Sequence, residues 1–269
     1  MHTIAQSLLG SGLDAADARA LLRHVLRCDA ARLVAHAGEP LPAPEHAAYA
    51  ALCARRAAGE PVAYLTGERE FYGLAFKVTP AVLIPRPETE LLVELGLARI
   101  PAGEPCRVLD LATGSGCVAV AIAKHRPRAQ VTATDIAPDA LAVARENAEQ
   151  HRVAIEFAAG DWFAAVAGRR FELIVANPPY VAEGDPHLAA GDLRFEPRAA
   201  LAAGPKGLDC IETIVEQAPR YLAPGGWLLL EHGFDQAACV QALLAAGGYG
   251  AIVTRRDLAG IERVSGGRV

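Results

Sequence analysis

From Cys106 onward the chain alternates short apolar runs with helical stretches, and this alternation limits the fold more than any other feature. Arg107 to Leu111, Val131 to Thr134, Ile155 to Ala158, Leu173 to Ala176 and Gly226 to Glu231 each have the length of a buried parallel strand. Helical segments separate them: Cys117 to His125, a stretch opened by Pro138, Asp209 to Leu222 and Phe234 to Ala246. Pro138 suits a first helical position, where a missing N–H costs nothing. Strands joined in this way feed a parallel sheet with helices on both faces. Ile252-Val253 and Glu262-Arg263-Val264 read as a closing antiparallel pair. The expectation is a doubly wound, Rossmann-like α/β sheet of seven strands with an antiparallel edge.

The first 70 residues have a different texture. Leu21, Leu22, Val25 and Leu26, with Leu33 beyond, fall on one stripe of a 3.6-residue period, and Asp14 and Asp29 stand where N-caps belong. Gly38 to Pro44 reads as a connector and Glu45 to Ala58 as a further helix, ended by Gly59 and Pro61. Phe71 to Val78 reads as a strand interrupted by Gly73, and Val82-Leu83-Ile84 as a second strand, which predicts a hairpin. Pro85-Arg86-Pro87-Glu88-Thr89-Glu90 forms a rigid bend that opens a helix through Leu91, Leu92 and Leu95. Arg86 is either a salt-bridged surface residue or part of a bend over a cofactor mouth. The expected organisation is a helical domain over 1–70, a hairpin linker over 71–90 and an α/β domain over 91–269.

Composition excludes several classes. No apolar run approaches the roughly 20 residues of a membrane-spanning helix, and Met1 to Gln6 lacks the basic and apolar regions of a signal peptide. The net charge of −5 opposes broad nucleic-acid binding, which leaves a basic footprint. The six cysteines, Cys28, Cys53, Cys106, Cys117, Cys210 and Cys239, form no C-x-x-C pair and read as reduced thiols of a cytoplasmic protein. The eight histidines form no ligand cluster, so no metal is expected. His232, beside Glu231 at a strand end, reads as structural.

Two loops carry chemistry. Ala112-Thr113-Gly114-Ser115-Gly116 follows the first parallel strand and precedes a helix, so its N–H groups can approach a ligand closely. With Ala119 it matches G-x-G-x-x-A, and Asp135, about 20 residues on, can accept from ribose hydroxyls. Asp110, just before the loop, would repel a pyrophosphate; it suits a cofactor whose near end is cationic, such as S-adenosyl-L-methionine. A loop-closing bond from Asp110 to backbone N–H groups is the alternative, and the residues leave both open. The second loop is Asn177-Pro178-Pro179-Tyr180, at the carboxyl end of an apolar strand. An Asn oxygen and a main-chain carbonyl can accept both hydrogens of a planar –NH2 group, and a Tyr ring can cover its face. That arrangement positions a nitrogen for transfer of a small group such as methyl. Trp162, at another strand end, can flank an adenine or belong to the core. Residues 182–208 are irregular, rich in glycine and proline, and a candidate for partner contact.

These two loops together look like the Rossmann-like methyltransferases that act on planar amino groups. Gly67 to Gly73, Leu83 to Glu90 and Glu196-Pro197-Arg198 further resemble the PrmC/HemK family, which methylates a glutamine amide nitrogen of peptide chain release factors. The resemblance runs over nearly the whole chain. It implies that Ala112, Thr113, Gly114, Ser115, Gly116, Asp135 and Asn177 hold S-adenosyl-L-methionine, with Trp162 beside its adenine and S-adenosyl-L-homocysteine as product. It implies that Asn177 and the Pro178 carbonyl accept the two amide hydrogens, with Tyr180 against the amide plane and Pro179 completing the substrate site. The glutamine would belong to the Gly-Gly-Gln loop of the release factor, docked by the N-terminal helices of a monomeric enzyme with no nucleic-acid partner. Ala112 departs from the glycine usual in the family, and its methyl would narrow the approach to the methionine end. A glutamine methyltransferase of a large-subunit ribosomal protein shares most of these motifs. A nucleic-acid amino-methyltransferase is opposed by the acidic balance and the lack of a basic recognition segment. A non-enzymatic docking module is opposed by the presence of both loops.

Overall fold

A computed structural model describes residues 2–269; Met1, the first residue of the stretch read above for a signal peptide, lies outside the described residues. The chain divides into two compact units, one of residues up to Glu68 with Ala190–Phe195, the other of Arg69–Ala189 with Glu196–Val269.

The first unit is helical: α1 Ile4–Leu9, α2 Ala15–Leu26, α3 Ala30–Ala35, α4 Ala43–Ala57 and α5 Val62–Thr66. Asp14 caps α2 through the N–H groups of Ala16 and Asp17, and Asp29 caps α3 through that of Arg32. Leu21, Leu22 and Leu33 are buried, with Val25 and Leu26 half-buried against them, as the stripe predicts. Arg56 of α4 pairs with Asp17 of α2 at 2.5 Å and with Asp192 at 2.9 Å. Arg194 donates to the Ala58 carbonyl at 2.6 Å. These two bonds attach the 190–195 segment to α4.

The second unit starts at a hairpin of β1 Glu68–Phe71 and β2 Leu74–Lys77. This corrects the expected pairing of Phe71–Val78 with Val82–Ile84. Gly73 is the turn itself: Tyr72 and Gly73 have φ of 53° and 71°, the paired left-handed residues that match strand twist. Val82–Ile84 joins no sheet: the Val82 N–H closes a turn onto the Thr79 carbonyl at 3.1 Å, and the Ile84 N–H goes to Glu196 Oε2 at 3.0 Å.

There follow α6 Glu90–Leu97, β3 Cys106–Leu111, α7 Cys117–His125, β4 Ala129–Asp135, α8 Pro138–His151, β5 Ile155–Ala159 and β6 Phe171–Ala176. The chain ends with α9 Asp209–Gln217, β7 Leu222–Glu231, α10 Ala237–Ala246, β8 Gly250–Arg256 and β9 Glu262–Arg268. α9 stops five residues short of the expected Leu222, because Ala218-Pro219-Arg220 tightens into a 3-10 turn around a residue without an N–H.

The strands form one seven-stranded sheet in the order β5-β4-β3-β6-β7-β9-β8. β3 to β7 are parallel, and β9 runs antiparallel between β7 and β8. Side chains alternate across it. Val108, Leu173 and Val175 pack under α6 and α7, whereas Leu109, Leu111, Ile174 and Ala176 pack under α9 and α10. Burial on both faces is why these strands are continuously apolar. Strand order reverses between β3 and β6, and loops diverging there leave a crevice at the carboxyl ends.

Candidate active site

A cavity of about 400 Å³ occupies that crevice. Its lining includes Ala112, Thr113, Gly114 and Ser115 after β3, Asp135 at the end of β4, Trp162, and Asn177 and Pro179 after β6. Gly116, Pro178 and Tyr180 do not line it. Pro85, Arg86 and Thr89 of the proline bend do.

The β3–α7 turn is built from left-handed residues: Ala112 at φ 55°, Gly114 at 56° and Gly116 at 79°. A side chain on Gly114 would meet no protein atom within 4 Å, so its bare backbone borders open space in the cavity wall. Gly116 serves packing instead, since a Cβ there would come within 3.0 Å of Ala144 Cβ on α8. Asn147 of α8 is fully buried; its Nδ2 donates to the Ser115 carbonyl at 2.8 Å and its Oδ1 accepts from Lys77 N at 2.7 Å, tying the turn to the hairpin.

Asp135 closes the turn with both oxygens. Oδ2 accepts from Gly114 N and Oδ1 from Ala137 N, each at 2.9 Å, and a carboxylate oxygen keeps capacity for a second donor. Asp110 is buried, and its Oδ2 accepts from Thr113 Oγ1 at 2.6 Å and Ala119 N at 3.2 Å. Burial outweighs these bonds and pushes its carboxyl up to about 7. Asp110 therefore makes the loop-closing bonds and also borders the cavity. Trp162, at φ 43°, lines the cavity while packing partly on the β6–β7 core. Ile136, 66% exposed, adds a second apolar surface there. Apolar flanks, a carboxylate with spare acceptor capacity, an unhindered glycine backbone and a buried carboxylate hostile to phosphate fit a cationic nucleoside such as S-adenosyl-L-methionine.

The acceptor loop is held from three directions. Asn177 Nδ2 donates to Thr89 Oγ1 at 3.1 Å, and Asn177 Oδ1 accepts nothing from the described residues. The Tyr180 hydroxyl donates to Glu231 Oε1 at 3.2 Å, and its ring packs on the β6–β7 core rather than on the cavity wall. Burial raises the Tyr180 phenol and pushes the Glu231 carboxyl up to about 7. Gln236 Nε2 donates to the carbonyls of Tyr180 at 3.0 Å and Gly207 at 3.2 Å. Position 207 admits only glycine: φ is 70°, and a Cβ would lie 2.2 Å from the Tyr180 oxygen. The proline bend is fixed by Glu196, whose buried carboxylate takes the Ile84 N–H and pairs with Arg86. Arg86 is thus salt-bridged and a cavity residue at once.

His232 is fully buried, with Nδ1 at 2.9 Å from the Gly233 carbonyl and Nε2 at 2.9 Å from Ser265 Oγ. Burial lowers its pKa, so it stays neutral in a structural role, as expected. No cluster of three His, Cys, Asp or Glu side chains among the described residues could hold a metal ion. No described helix is long and apolar enough to cross a membrane.

Sequence reasoning assigned no site role to Thr89, Glu196, Glu231, Gln236 or Ile136. A signal existed for Glu231, a charged residue ending the otherwise apolar Leu228-Leu229-Leu230 strand at the ligand edge of a parallel sheet.

A seven-stranded sheet of this order with a crevice at its switch point defines a Rossmann-like methyltransferase. Residues 88–207 match the methyltransferase small domain and residues 2–67 the PrmC N-terminal domain. The chain is 55% identical over 275 residues to the release factor glutamine methyltransferase of Burkholderia pseudomallei, covering 99% of this chain and 96% of that protein. It is 45% identical over 269 residues to the protein of that name from Salmonella typhimurium, covering 100% and 97%. The chain belongs to the release factor glutamine methyltransferase family. Its fold is also that of the T. thermophilus 16S rRNA N2 G1207 methyltransferase solved with AdoMet and guanosine, at TM-score 0.56 and 22% identity over 75% of this chain and 49% of that one.

Proposed function

We propose that this protein methylates the side-chain amide nitrogen of the glutamine in the Gly-Gly-Gln loop of peptide chain release factors. S-adenosyl-L-methionine is the methyl donor and S-adenosyl-L-homocysteine the product. The observation that carries the reading is the Asn177 amide, held by its nitrogen on Thr89 with its oxygen unclaimed, on the wall of the cavity that the glycine turn also lines. Family membership over nearly the full chain supports the same substrate.

Bound S-adenosyl-L-methionine supplies an electrophilic methyl on a sulfonium. Ala112 to Ser115 and Asp135 would hold it, with Trp162 and Ile136 as apolar flanks for the adenine and Asp110 for the cationic end, while Gly116 shapes the turn by packing on α8. An amide nitrogen is a poor nucleophile because its lone pair is delocalised into the carbonyl. Asn177 Oδ1 and the Pro178 carbonyl accept its two hydrogens, which returns electron density to nitrogen and fixes the direction of its lone pair. Both acceptors sit on a loop stiffened by two prolines, so little reorganisation accompanies the reaction. Pro179 and Tyr180 complete the acceptor site through the shape of that loop. No general base stands in the loop, and the proton is lost to solvent.

The helical unit, with its attached 190–195 segment, docks the release factor. The enzyme works in the cytoplasm as a monomer on a protein substrate, without a nucleic-acid partner. Incubation with S-adenosyl-L-methionine and a release factor, followed by intact mass measurement, tests this. The factor should gain one methyl group, and a variant lacking the loop glutamine should gain none. Methylation of a large-subunit ribosomal protein but not of the release factor would overturn it.

A further inference from the structure

The proposed function leaves one charged side chain of the cavity wall without a task. Arg86, in the proline bend, is the single Lys, Arg or His of that wall among the described residues, where Asp110, Asp135 and Asp161 also stand. We infer that the Arg86 guanidinium is the subsite for the α-carboxylate of the methyl donor, with Glu196 as the group that holds it in place. The inference rests on the cavity being the donor site and is independent of which nitrogen is methylated.

The bend is built to present this side chain. Pro87 disfavours helical backbone at the residue before it, and Arg86 is extended at φ −100° and ψ 143°. The 3-10 turn Pro87–Thr89 follows, and Thr89 N closes on the Arg86 carbonyl at 3.1 Å. Glu196 fastens the bend from the other side: Oε2 takes the Ile84 N–H at 3.0 Å and Oε1 pairs with Arg86. The Glu196 side chain is 0% exposed and that of Arg86 29%, so the guanidinium spans from a buried carboxylate to the cavity. No other described residue accepts a hydrogen bond from Arg86. A guanidinium has more N–H donors than one carboxylate oxygen can engage, and its planar fork fits a second carboxylate.

The chemistry of the ligand supplies the demand. S-adenosyl-L-methionine carries a sulfonium and an ammonium, and the carbon that bears the ammonium also bears a carboxylate. Asp110 suits the two cations. The carboxylate, set among three aspartates with no cation to meet it, would be both desolvated and repelled. Its place follows from the acceptor end. Thr89, in the same turn as Arg86, takes the Asn177 side-chain nitrogen at 3.1 Å. The methyl-bearing sulfur has to come up to Asn177, and only a short alkyl chain separates that sulfur from the carboxylate. The amino-acid end of the donor therefore lies toward the bend, and the adenine toward Trp162 and Ile136. A guanidinium already fixed by Glu196 meets the carboxylate with little ordering cost, and the anchored tail limits where the methyl can point.

Calorimetry on the full-length enzyme measures the affinity of S-adenosyl-L-homocysteine and of its decarboxylated analogue, which has hydrogen in place of the carboxylate. Wild type, Arg86→Lys, Arg86→Met and the double variant Arg86→Met with Glu196→Gln are compared. Wild type should bind S-adenosyl-L-homocysteine roughly thirtyfold or more tightly than the analogue, the worth of a charge-assisted hydrogen bond. Arg86→Met should erase this preference by weakening S-adenosyl-L-homocysteine alone. Affinity for the analogue should stay within about twofold, which also verifies folding. Arg86→Lys should keep part of the preference, as a point charge without the fork. The double variant removes the carboxylate that Arg86→Met leaves buried and unpaired, keeps an acceptor for the Ile84 N–H, and should likewise show no preference. A preference that persists in either Met variant, or equal weakening of both ligands, overturns the inference and leaves Arg86 as the partner of Glu196 only. Binding of neither ligand by wild type overturns the cavity as donor site.

Discussion

The two ends of the cavity are built on opposite plans. At the cofactor end the bonds to the two carboxylates are local: Thr113 to Asp110 spans three residues, Ala119 to Asp110 nine, and Gly114 to Asp135 twenty-one, with Asn147 of α8 the one remote tie. One strand, turn, helix and strand contain all the bonds to these carboxylates. At the acceptor end the partners are remote: Asn177 to Thr89 spans 88 residues, Tyr180 to Gln236 56 and Tyr180 to Glu231 51. Each end also buries one carboxyl with its pKa pushed up to about 7, Asp110 and Glu231. The difference separates binding from chemistry. A self-contained turn can grip a nucleoside, whereas an amide acceptor needs several elements to converge before it points the right way.

The largest test breaks the acceptor end alone. Asn177→Ala should cost about 2 kcal/mol or more of transition-state stabilisation, read as a fall in kcat of roughly 30-fold. Because Asn177 also lines the cavity, S-adenosyl-L-methionine affinity by calorimetry should fall, but far less than kcat. An equal loss of affinity would mean that the two ends are not separable.

A second test sets the two carboxyls against each other. Their folded pKa values lie above the unfolded carboxylate range, so the stability they contribute is whole below about pH 4 and lost as pH rises through about 7. The lowered carboxylates Asp14, Glu172, Asp185 and Asp257 act below this window and with opposite sign, and His232, lowered by burial, acts within it and offsets part of the effect. The ligand-free protein should melt a few degrees lower at pH 8.5 than at pH 5.5, a shift of about 1–3 kcal/mol. A cationic cofactor beside Asp110 should expel its proton. Calorimetry near pH 7 in buffers of different ionisation heat should then show proton release in wild type and in Glu231→Gln, but none in Asp110→Asn.

The smallest effect concerns Ala112. A residue with a Cβ at φ 55° carries about 1–2 kcal/mol of left-handed strain, while glycine costs about 0.5–1 kcal/mol in unfolded-chain entropy. Ala112→Gly should stabilise the fold by about 0.5 kcal/mol, read as a slightly higher Tm. A lower Tm would show that the turn is not strained.

Most of the sheet was legible because period and turn chemistry are local. The Cys117–His125 helix, the Pro138 start and the strands to either side follow from residues within a few positions of one another. The expected hairpin failed for the same reason inverted. Val82–Ile84 has the apolar character of a strand, but Glu196, more than a hundred residues on, captures its backbone. Trp162 could not be divided between core and cavity from sequence, and the fold gives it a share in both.

By itself the sequence determined the parallel sheet, the glycine turn after β3 and the presence of an Asn-Pro-Pro-Tyr loop at a strand end, since each depends on short-range sterics and periodicity. Tertiary structure decided which way that loop's side chains point. Glu231 and Gln236 belong to no motif, and the motifs that contain Thr89 and Glu196 gave those two residues no role of their own. All four acquire meaning when folding removes them from water and leaves each only a few partners to bond.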